Sequence, residues 1–411
     1  MAQRSPLRVL QVVPYLHPTS AYGGTPRVVH GLCRALAQLG WQVEALTTDA
    51  FSIDRRRRPS DDRDLSYPVH TLPNVSNRLA YHAKAFLPMG LGAWMSAQLP
   101  RFDLVHLHEL RTVATFRVAA ECRRRRIPYA LSGHGGFPHH GRRRLVKAIL
   151  DRMLLPPLLS GAARLVAASE FERDQLAAFG LDRGRVEVLP HGLDLSEFGE
   201  ALPAPGTQRR AWGLEHRPLV LFLGRIDPIK GLLLLLEGFA RAQRHGPDAA
   251  LVLAGPEGAG AGKLRRAAQA LGIEGSVYWP GVLHDRERVA ALVDADLLCF
   301  PADRDCFGLA PFEALACGTP VVALASGGSG EWLAQTGGAE LVAADPAELG
   351  AAIHRSLSEP AAARSQAQAG AAYVRAHLGW QRIAPRYGVL YESLIDRDRH
   401  ASGQPGRESL A

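Results

Sequence analysis

Two series of alternating strand and helix patterns constrain the fold of this 411-residue chain most strongly. The first series opens with an apolar stretch, Leu7 to Pro14, then helical spacing over Thr25 to Leu39, then a second apolar stretch, Val43 to Thr47. Later strands of this series are predicted at Leu104 to Leu107, Tyr129 to Ser132, Leu165 to Ala168 and Val186 to Leu189. Such alternation is typical of a parallel, doubly wound α/β sheet.

A Pro- and Gly-rich connection between Glu197 and His216 interrupts the pattern, which restarts at Leu219. Later strands are predicted at Ala250 to Ala254, Val277 to Trp279, Leu297 to Phe300, Val321 to Ala323 and Glu340 to Val342. A chain of this length with 47% hydrophobic residues can bury two cores. The predicted organisation is a first domain over 1–205, a second over 206–378, a helix over 379–398 and a flexible polar tail over 399–411.

Two carboxylates, Asp305 and Glu313, lie eight positions apart around a glycine turn and a predicted helix start at Phe307, Gly308 and Leu309. Free backbone N–H groups at a helix start, together with the positive end of the helix dipole, suit a diphosphate. Carboxylates accept hydrogen bonds from sugar hydroxyls. This arrangement therefore indicates a site for a sugar nucleotide.

A second motif follows the strand that begins at Leu219: a glycine turn, Gly224 and Arg225, and then Lys230. Two cations at such a turn can neutralise a leaving diphosphate. The chain has 44 Arg and only 4 Lys, so a lysine here departs from its own composition and favours a compact ammonium beside phosphate. The alternative is a solvated surface lysine.

At these residues the chain resembles, nearly end to end, the retaining GT-B glycosyltransferases of the group 4 type. The Gly-Arg-x4-Lys-Gly signature of that family corresponds to Gly224, Arg225 and Lys230, and its Glu-x7-Glu signature to Asp305 and Glu313. Asp305 stands where the family usually has Glu, which shortens the reach toward the donor sugar by one methylene. The resemblance implies two Rossmann-like domains facing an inter-domain cleft.

The resemblance also implies a reaction: transfer of a hexosyl unit from a nucleoside diphosphate sugar to an acceptor hydroxyl, with retention at the anomeric carbon. Arg225 and Lys230 would stabilise the departing diphosphate, Glu313 would accept from the ribose hydroxyls, and Asp305 from the sugar hydroxyls. No cofactor and no metal are expected. The final helix is expected to cross back to the first domain.

Three glycine-rich segments of the first half are further candidates. Gly23 and Gly24 join the first strand to the first helix, where backbone N–H groups can approach a bound phosphate or acceptor. The family has a glycine pair here, and donor binding is expected of both residues, although a Gly-Gly turn is more often plain loop geometry. His134 follows a strand between glycines, at the edge of the sheet where ligands of such folds bind, and is a catalytic candidate. The resemblance implies that it touches the donor sugar near the reacting carbon. Its alternative is a loop histidine bonded to backbone. His191 stands where the family has Asn.

Two patterns raise the question of a metal. His106 and His108 share one face of a strand, but no acidic cluster completes a site around them. Asp-x-Asp triplets at Asp294 and Asp296 and at Asp303 and Asp305 are typical of metal-dependent transferases. Arg225 and Lys230 already supply the charge that a metal would bring, so no metal is expected.

The net charge of +8 is confined to the first half, where residues 1–200 carry 27 basic and 18 acidic side chains. The excess concentrates in Arg55 to Arg58, Arg123 to Arg126 and Arg142 to Arg144. These runs are consistent with a solvated surface or with binding to an anionic membrane. An apolar stretch, Ala85 to Met95, favours the membrane. Nucleic acid is not expected as a partner, because no recognised binding motif accompanies the arginines.

No stretch reaches the ~18–20 apolar residues of a membrane span, and no signal peptide is evident. A cytoplasmic protein is therefore expected. If the basic runs bind lipid, the protein would be peripheral on the inner face of the cell membrane. The acceptor is expected to be a saccharide, free or polyprenyl-linked, in cell-surface polysaccharide assembly. Two other functions remain open: a sugar-nucleotide epimerase on the same fold, and a non-catalytic protein that binds nucleotide sugars.

Overall fold

The computed structural model describes residues 6–19, 21–136, 144–199, 202–244, 246–258 and 260–401, and for 144–150, 399 and 401 the backbone alone. These residues form two compact units. The first unit lies within residues 1–168, 172–192 and 380–411, and the second within residues 169–171 and 193–379.

Within the described part of the first unit, parallel strands form a sheet in the order β3-β2-β1-β4-β5-β6-β7. The strands are β1 (Arg8–Val12), β2 (Gln42–Thr48), β3 (Val69–Leu72), β4 (Leu104–His108), β5 (Tyr129–Ser132), β6 (Arg164–Ala167) and β7 (Val186–Val188). The helices between them are α1 (Thr25–Gln38), α2 (Asn77–Ala83), α3 (Leu91–Gln98), α4 (Val113–Arg125), α5 (Arg144–Gly161) and α6 (Glu170–Ala177). The predicted doubly wound parallel sheet is confirmed.

Strand β3 is the one strand of this sheet that the sequence patterns did not predict. Its four residues, Val69–Leu72, are Val-His-Thr-Leu and are only partly buried, so they lack the continuous apolar run that marked the other strands. Pairing with β2, in which Ala45 faces Val69 and Thr48 faces Leu72, gives the segment its extended form. The central strands are fully buried, as expected of a parallel sheet covered on both faces.

The described part of the second unit holds a parallel sheet in the order β10-β9-β8-β11-β12-β13. Its strands are β8 (Leu219–Leu223), β9 (Ala250–Ala254), β10 (Val277–Gly281), β11 (Leu297–Phe300), β12 (Val321–Leu324) and β13 (Ala339–Val342). Its helices are α7 (Thr207–Trp212), α8 (Leu232–Gln243), α9 (Ala261–Ala270), α10 (Asp285–Asp294), α11 (Leu309–Ala316), α12 (Gly327–Thr336), α13 (Pro346–Ser358) and α14 (Pro360–His377). This sheet also confirms the prediction.

The second unit begins at Leu193, thirteen residues before the predicted boundary at 206. The backbone N–H of Leu193 donates to the carbonyl of Leu378 at 2.7 Å, which ties the start of the unit to its end. The following short 3₁₀ helix, Leu195–Phe198, is capped by Asp194 and buries Phe198. The Pro- and Gly-rich stretch that suggested the later boundary therefore falls within the second unit, and its described residues include α7.

The final helix, α15 (Trp380–Ala401), belongs to the first unit, where it lies against α1. Trp380 at its start is buried between two glycines. A Cβ atom added at Gly31 would lie 2.0 Å from Nε1 of Trp380, and one added at Gly192 would lie 2.4 Å from its ring. The absence of side chains at both positions makes room for the indole. Residues 402–411 of the predicted flexible tail lie outside the described residues.

We expect Gly31→Ala to lower the free energy of unfolding of the first unit by about 1–3 kcal/mol, because the new methyl group must displace the buried Trp380 ring. The measurement is urea unfolding followed by tryptophan fluorescence. The matched control is Gly388→Ala in α15, where a Cβ would lie at an ordinary 3.5 Å from Trp41. This control should be neutral or stabilising, since alanine favours helix over glycine. Equal effects of the two changes would contradict the packing argument.

Candidate functional site

In each sheet the strand order reverses at one point, between β1 and β4 in the first unit and between β8 and β11 in the second. Helices leave these points in opposite directions, so a crevice opens outside the carboxyl ends of the two strands, where ligands of such folds bind. The predicted site residues follow these strands or their neighbours. Each unit thus contains one candidate site, at the reversal point of its sheet.

In the second unit, the predicted cation and the predicted sugar carboxylate are in contact. Nζ of Lys230 lies 2.5 Å from Oδ2 of Asp305, and both side chains are mostly buried. Gly231 makes this contact possible: its backbone is left-handed, with φ of 73°, and a Cβ there would lie 1.9 Å from the carbonyl oxygen of Pro301. Only glycine lets the turn after β8 approach the segment after β11 so closely.

The turn before α11 also requires glycine. Gly308 has φ of 65°, and a Cβ there would lie 2.7 Å from the ring of Phe300. The predicted donor residue Phe307 is fully buried and stacks on Phe312, with ring centroids 4.6 Å apart. Its side chain therefore serves the core. Leu309 begins α11 and is half-buried.

The second predicted carboxylate, Glu313, is only 2% exposed and has a partner that the sequence analysis did not identify. Nη1 of Arg288 donates to its Oε2 at 2.7 Å. The other terminal nitrogen of Arg288 bonds Glu197, and its guanidinium lies over the ring of Phe198, 5.6 Å from the centroid. Arg288 and Glu197 lie in an ordinary helical pattern and a loop, so no sequence signal marked them.

Arg225 lies in the turn after Gly224 and is partly exposed. Its Nε lies 4.0 Å from Oδ2 of Asp227, a carboxylate of the same loop. This Nε is buried and has no hydrogen-bond partner among the described residues. The guanidinium thus has bonding capacity left for a ligand.

In the first unit, His134 lies in the loop after β5 and has a left-handed backbone, with φ of 48°. Glu172, which is 1% exposed, holds this loop. Its carboxylate accepts from the N–H of Gly135 at 2.7 Å and from that of Ala168 at 2.8 Å. Glu172 is a supporting residue that sequence reasoning missed, because it lies 38 positions from His134 in the chain.

The ring of His134 is bonded to two other histidines. Its Nε2 lies 2.8 Å from Nδ1 of His108, and its Nδ1 lies 3.2 Å from Nε2 of His191. Burial, followed by the charges of His191 and His106, holds the pKa of His134 well below its ordinary value. His134 is thus a neutral imidazole near pH 7, and its alternative as a plain loop histidine bonded to backbone is not what the structure shows.

The glycine pair after β1 is linked to the end of β4. Gly23 is left-handed, with φ of 94°, and Gly24 precedes the first turn of α1. The next residue, Thr25, donates through Oγ1 to Oε1 of Glu109 at 3.3 Å, and the hydroxyl of Tyr15 donates to the same oxygen at 2.8 Å. Glu109, also left-handed, thus ties both strands of the reversal point together.

The residues that suggested a metal have other partners. Both ring nitrogens of His106 and His108 are hydrogen-bonded within the first unit. Asp294 accepts from the N–H groups of Gly206 and Gln208 at 2.5 and 2.6 Å, at the start of α7. Among the described residues, no group of three or more His, Cys, Asp or Glu side chains has a metal-binding arrangement.

Several arginines of the basic runs have acidic partners in the described part of the first unit. Arg55 lies 2.5 Å from Asp61, Arg56 lies 2.6 Å from Asp49, and the buried Arg57 bonds Asp62 and the carbonyl oxygen of residue 16. In the second run, two arginines pair with one glutamate, Arg124 and Arg125 with Glu121. Of the third run, residues 142 and 143 and the side chain of Arg144 lie outside the described residues.

The apolar stretch from Ala85 to Met95 contributes three side chains to the interior of the first unit. Phe86, Leu91 and Met95 are buried, whereas Met89 is half exposed. Across the described residues, no helix combines the length and the apolar character needed to cross a membrane.

Two family models match the chain in sequence. Residues 22–197 match the glycosyltransferase family 4 model, and residues 206–373 match the glycosyl transferases group 1 model. A D-inositol 3-phosphate glycosyltransferase of Kineococcus radiotolerans is 30% identical over 334 residues, which cover 76% of this chain and 71% of that protein. The chain belongs to the group 1 glycosyltransferases.

Another member of this family, a D-inositol 3-phosphate glycosyltransferase of Frankia alni, is 35% identical over 244 residues. That match covers 57% of this chain and 59% of the relative, so the chain spans about six-tenths of the length of this relative. Among solved structures, sucrose-phosphate synthase from Thermosynechococcus elongatus has a TM-score of 0.74 at 22% identity and covers 95% of this chain and 99% of that one. Anabaena HepE in complex with UDP and glucose has a TM-score of 0.74 at 18% identity, covering 94% and 100%. These likenesses confirm the GT-B fold of this group 1 glycosyltransferase.

We expect the free energy of unfolding of this glycosyltransferase to fall as the pH drops from about 7 to about 5. Burial lowers the pKa of His106 to about 3 and that of His108 well below its ordinary value, whereas in the unfolded chain both titrate near the usual ~6.5. The unfolded chain therefore binds more protons below pH ~6.5. The stability from these neutral rings is fully present above that pH and is lost toward the folded-state values, with a slope of about 1.4 kcal/mol per pH unit for each ring.

Urea unfolding across this pH range measures the slope. His106→Gln should flatten it, because glutamine can bond Tyr391 and Ser132 as His106 does but does not titrate. The exposed His82 provides the control, and His82→Gln should leave the slope unchanged. A wild-type slope equal to that of His106→Gln would contradict the neutral buried histidine.

Proposed function

We propose that this protein transfers a hexosyl unit from a nucleoside diphosphate sugar to an acceptor hydroxyl, with retention at the anomeric carbon. The observation that carries the proposal is the Lys230–Asp305 contact at the reversal point of the second sheet, held there by Gly231. A cation and a carboxylate at that point match the two parts of such a donor, diphosphate and sugar. Membership in the group 1 glycosyltransferases supports the same reaction class.

The proposed donor is a uridine diphosphate hexose. The HepE structures hold UDP, UDP with glucose, and UDP-glucose, and an Escherichia coli structure of the same fold holds UDP-2-fluoro glucose. In this chain, Glu313 would accept from the ribose hydroxyls, oriented by Arg288. The backbone around Gly308 and the amides that open α11 would meet the diphosphate.

Donor binding requires an exchange of partners at the Lys230–Asp305 pair. The ammonium and the carboxylate neutralise one another before the donor arrives. When a diphosphate enters, Lys230 turns to it together with Arg225, and the carboxylate of Asp305 becomes available to the sugar hydroxyls. The ion pair thus holds both side chains in place until the donor supplies each of them with a new partner.

In the proposed reaction, the bond between the anomeric carbon and the diphosphate oxygen breaks, and a bond from the acceptor oxygen forms on the same face. The acceptor proton passes to the departing diphosphate, which leaves as the nucleoside diphosphate. Arg225 and Lys230 stabilise the charge on this leaving group. We propose that these cations replace a metal, and that the protein uses no cofactor.

For the acceptor we propose a saccharide, free or polyprenyl-linked, in cell-surface glycan assembly, on the cytoplasmic side of the membrane. The pairing of Arg55 and Arg56 with carboxylates and the burial of Phe86, Leu91 and Met95 leave less of the first unit for contact with the lipid of such an acceptor. Inositol 3-phosphate is the second candidate, because it appears in the names of relatives 30% and 35% identical to this chain. A competition assay that offers a saccharide acceptor and inositol 3-phosphate together decides between the two candidates.

We expect UDP, tested beside GDP, ADP and dTDP without metal, to raise the unfolding temperature of the protein. At about 100 times Kd the gain in free energy is about 2.7 kcal/mol. Lys230→Ala should abolish this rise and lower transfer about 10²-fold or more. The matched control is Lys263→Ala, an exposed lysine of α9 in the same unit, which should retain both.

Each other result has a clear meaning. Stabilisation without transfer to any acceptor would favour a non-catalytic nucleotide-sugar-binding protein. Conversion of the donor alone would favour an epimerase. Normal transfer by Lys230→Ala and by Glu313→Ala would end the assignment of these residues.

Asp305→Glu tests the shorter acid. We expect measurable transfer, because the longer side chain still carries a carboxylate and is the residue usual in the family. Asp305→Asn, which keeps the size and removes the charge, should lose transfer about tenfold or more, since a charged acceptor forms the stronger hydrogen bond. Steady-state kinetics with the stabilising donor measure both. Complete loss in Asp305→Glu with normal nucleotide binding would mean that the sugar requires the shorter side chain.

A further inference from the structure

A chain of seven hydrogen-bonded side chains runs through the interior of the first unit. It joins two arms at Gln11, which lies on β1 opposite His106 on β4. Gln11, His106 and Tyr391 are 0% exposed, and His108 is 1% exposed. In order, the chain is Ser132, His106, Tyr391, Gln11, His108, His134 and His191.

The amide of Gln11 gives this chain a direction. Its Nε2 donates to the hydroxyl of Tyr391 at 3.2 Å, and its Oε1 lies 2.8 Å from Nε2 of His108. A carbonyl oxygen can only accept, so Nε2 of His108 carries a hydrogen. His108 is neutral, because burial and neighbouring histidines hold its pKa well below its ordinary value. Its Nδ1 is therefore an acceptor.

The same reasoning continues to the site. Because Nδ1 of His108 accepts, Nε2 of His134, 2.8 Å away, must be the donor. A neutral imidazole has one N–H, so Nδ1 of His134 carries a lone pair and accepts from Nε2 of His191 at 3.2 Å. The amide of Gln11 thus sets the tautomer of His134 through His108, which lies in contact with both.

The other arm of the chain, from Gln11 through Tyr391 and His106 to Ser132, forms its own hydrogen bonds and makes none to His134. Burial raises the pKa of Tyr391 far above its ordinary value, so its hydroxyl keeps its proton. Tyr391 accepts from Gln11 and donates to Nδ1 of His106 at 2.6 Å. His106 then donates from Nε2 to Oγ of Ser132 at 2.9 Å. Every ring nitrogen of the two buried histidines has a partner of the correct kind.

We propose that Gln11 is a positioning residue, which acts through His108 to hold His134 as the Nε2–H tautomer with an acceptor lone pair on Nδ1. The effect on transfer rests on the proposed function, whereas the tautomer does not. In this form His134 cannot give a proton to the reaction without breaking the chain. The ring is fixed and neutral, and His191, which stands in place of the usual Asn, is the group that its lone pair faces.

The first experiment is a ¹H–¹⁵N correlation spectrum of the whole protein labelled at histidine, with the His134 signals assigned by their loss in His134→Gln. We expect the wild type to show a protonated Nε2 and an unprotonated Nδ1 at His134. A protonated Nδ1 would overturn the assigned direction, whether or not any variant folds.

The second experiment removes the amide. Gln11→Met keeps the side-chain length without a polar group, so His108 loses its acceptor and His134 should lose its single tautomer. Ser132→Ala removes a hydroxyl at the other end of the same chain and should leave the His134 tautomer unchanged. An unchanged tautomer in Gln11→Met, or a changed one in Ser132→Ala, would overturn the role of Gln11.

Kinetics then connect the tautomer to the reaction. We expect Gln11→Met to lower kcat about tenfold or more with little change in KM for the donor, because a wrongly protonated ring is misplaced only for the chemical step. A changed tautomer with unchanged kcat would overturn the link to catalysis. If the wild type transfers no sugar at all, the proposed function fails, while the spectra still decide the direction of the chain.

Discussion

The candidate sites of both units depend on the reversal of strand order in a parallel sheet. Neighbouring helices depart to opposite faces at that point, so the carboxyl ends of β1 and β4, and of β8 and β11, are left uncovered by helix. Loops after these strands can then approach one another, as Gly231 approaches the carbonyl oxygen of Pro301. Without that approach, Lys230 and Asp305 would lie in separate loops, each exposed to water.

The candidate sites of the two units stabilise their buried polar groups in different ways. In the second unit, ionised groups are paired: Lys230 with Asp305, and Arg288 with both Glu313 and Glu197. In the first unit, the histidines are kept neutral and satisfied by hydrogen bonds, because an unpaired buried charge would cost far more. Paired charges suit the proposed exchange with a charged diphosphate. A neutral, directional chain suits a ring that must stay in one orientation.

The basic residues counted in the sequence are not all free charges on the surface of the first unit. The excess of basic residues over 1–200 suggested an anionic partner, yet Arg55, Arg56 and Arg57 each meet a carboxylate within the same loop region. These carboxylates belong to neighbouring residues or to the end of β2, and an overall count of charges does not reveal such pairings. The basic run from Arg55 thus holds a loop through these pairs.

The sequence by itself determined the two doubly wound sheets, most strand positions, and the residues Lys230, Asp305, Glu313 and His134 as candidates, because apolar periodicity and short motifs are local properties. It missed β3, which becomes a strand by pairing with β2. Its predicted domain boundary at 206 came from a Pro- and Gly-rich stretch, whereas the compact second unit starts at Leu193, whose backbone bond to Leu378 joins residues far apart in the chain. The tertiary structure alone decided the partners: Arg288 for Glu313, Glu172 for the loop of His134, and Gln11 with Tyr391 for the histidine chain. Such partners come from strands and helices up to 380 residues apart, and only folding brings them within hydrogen-bonding distance.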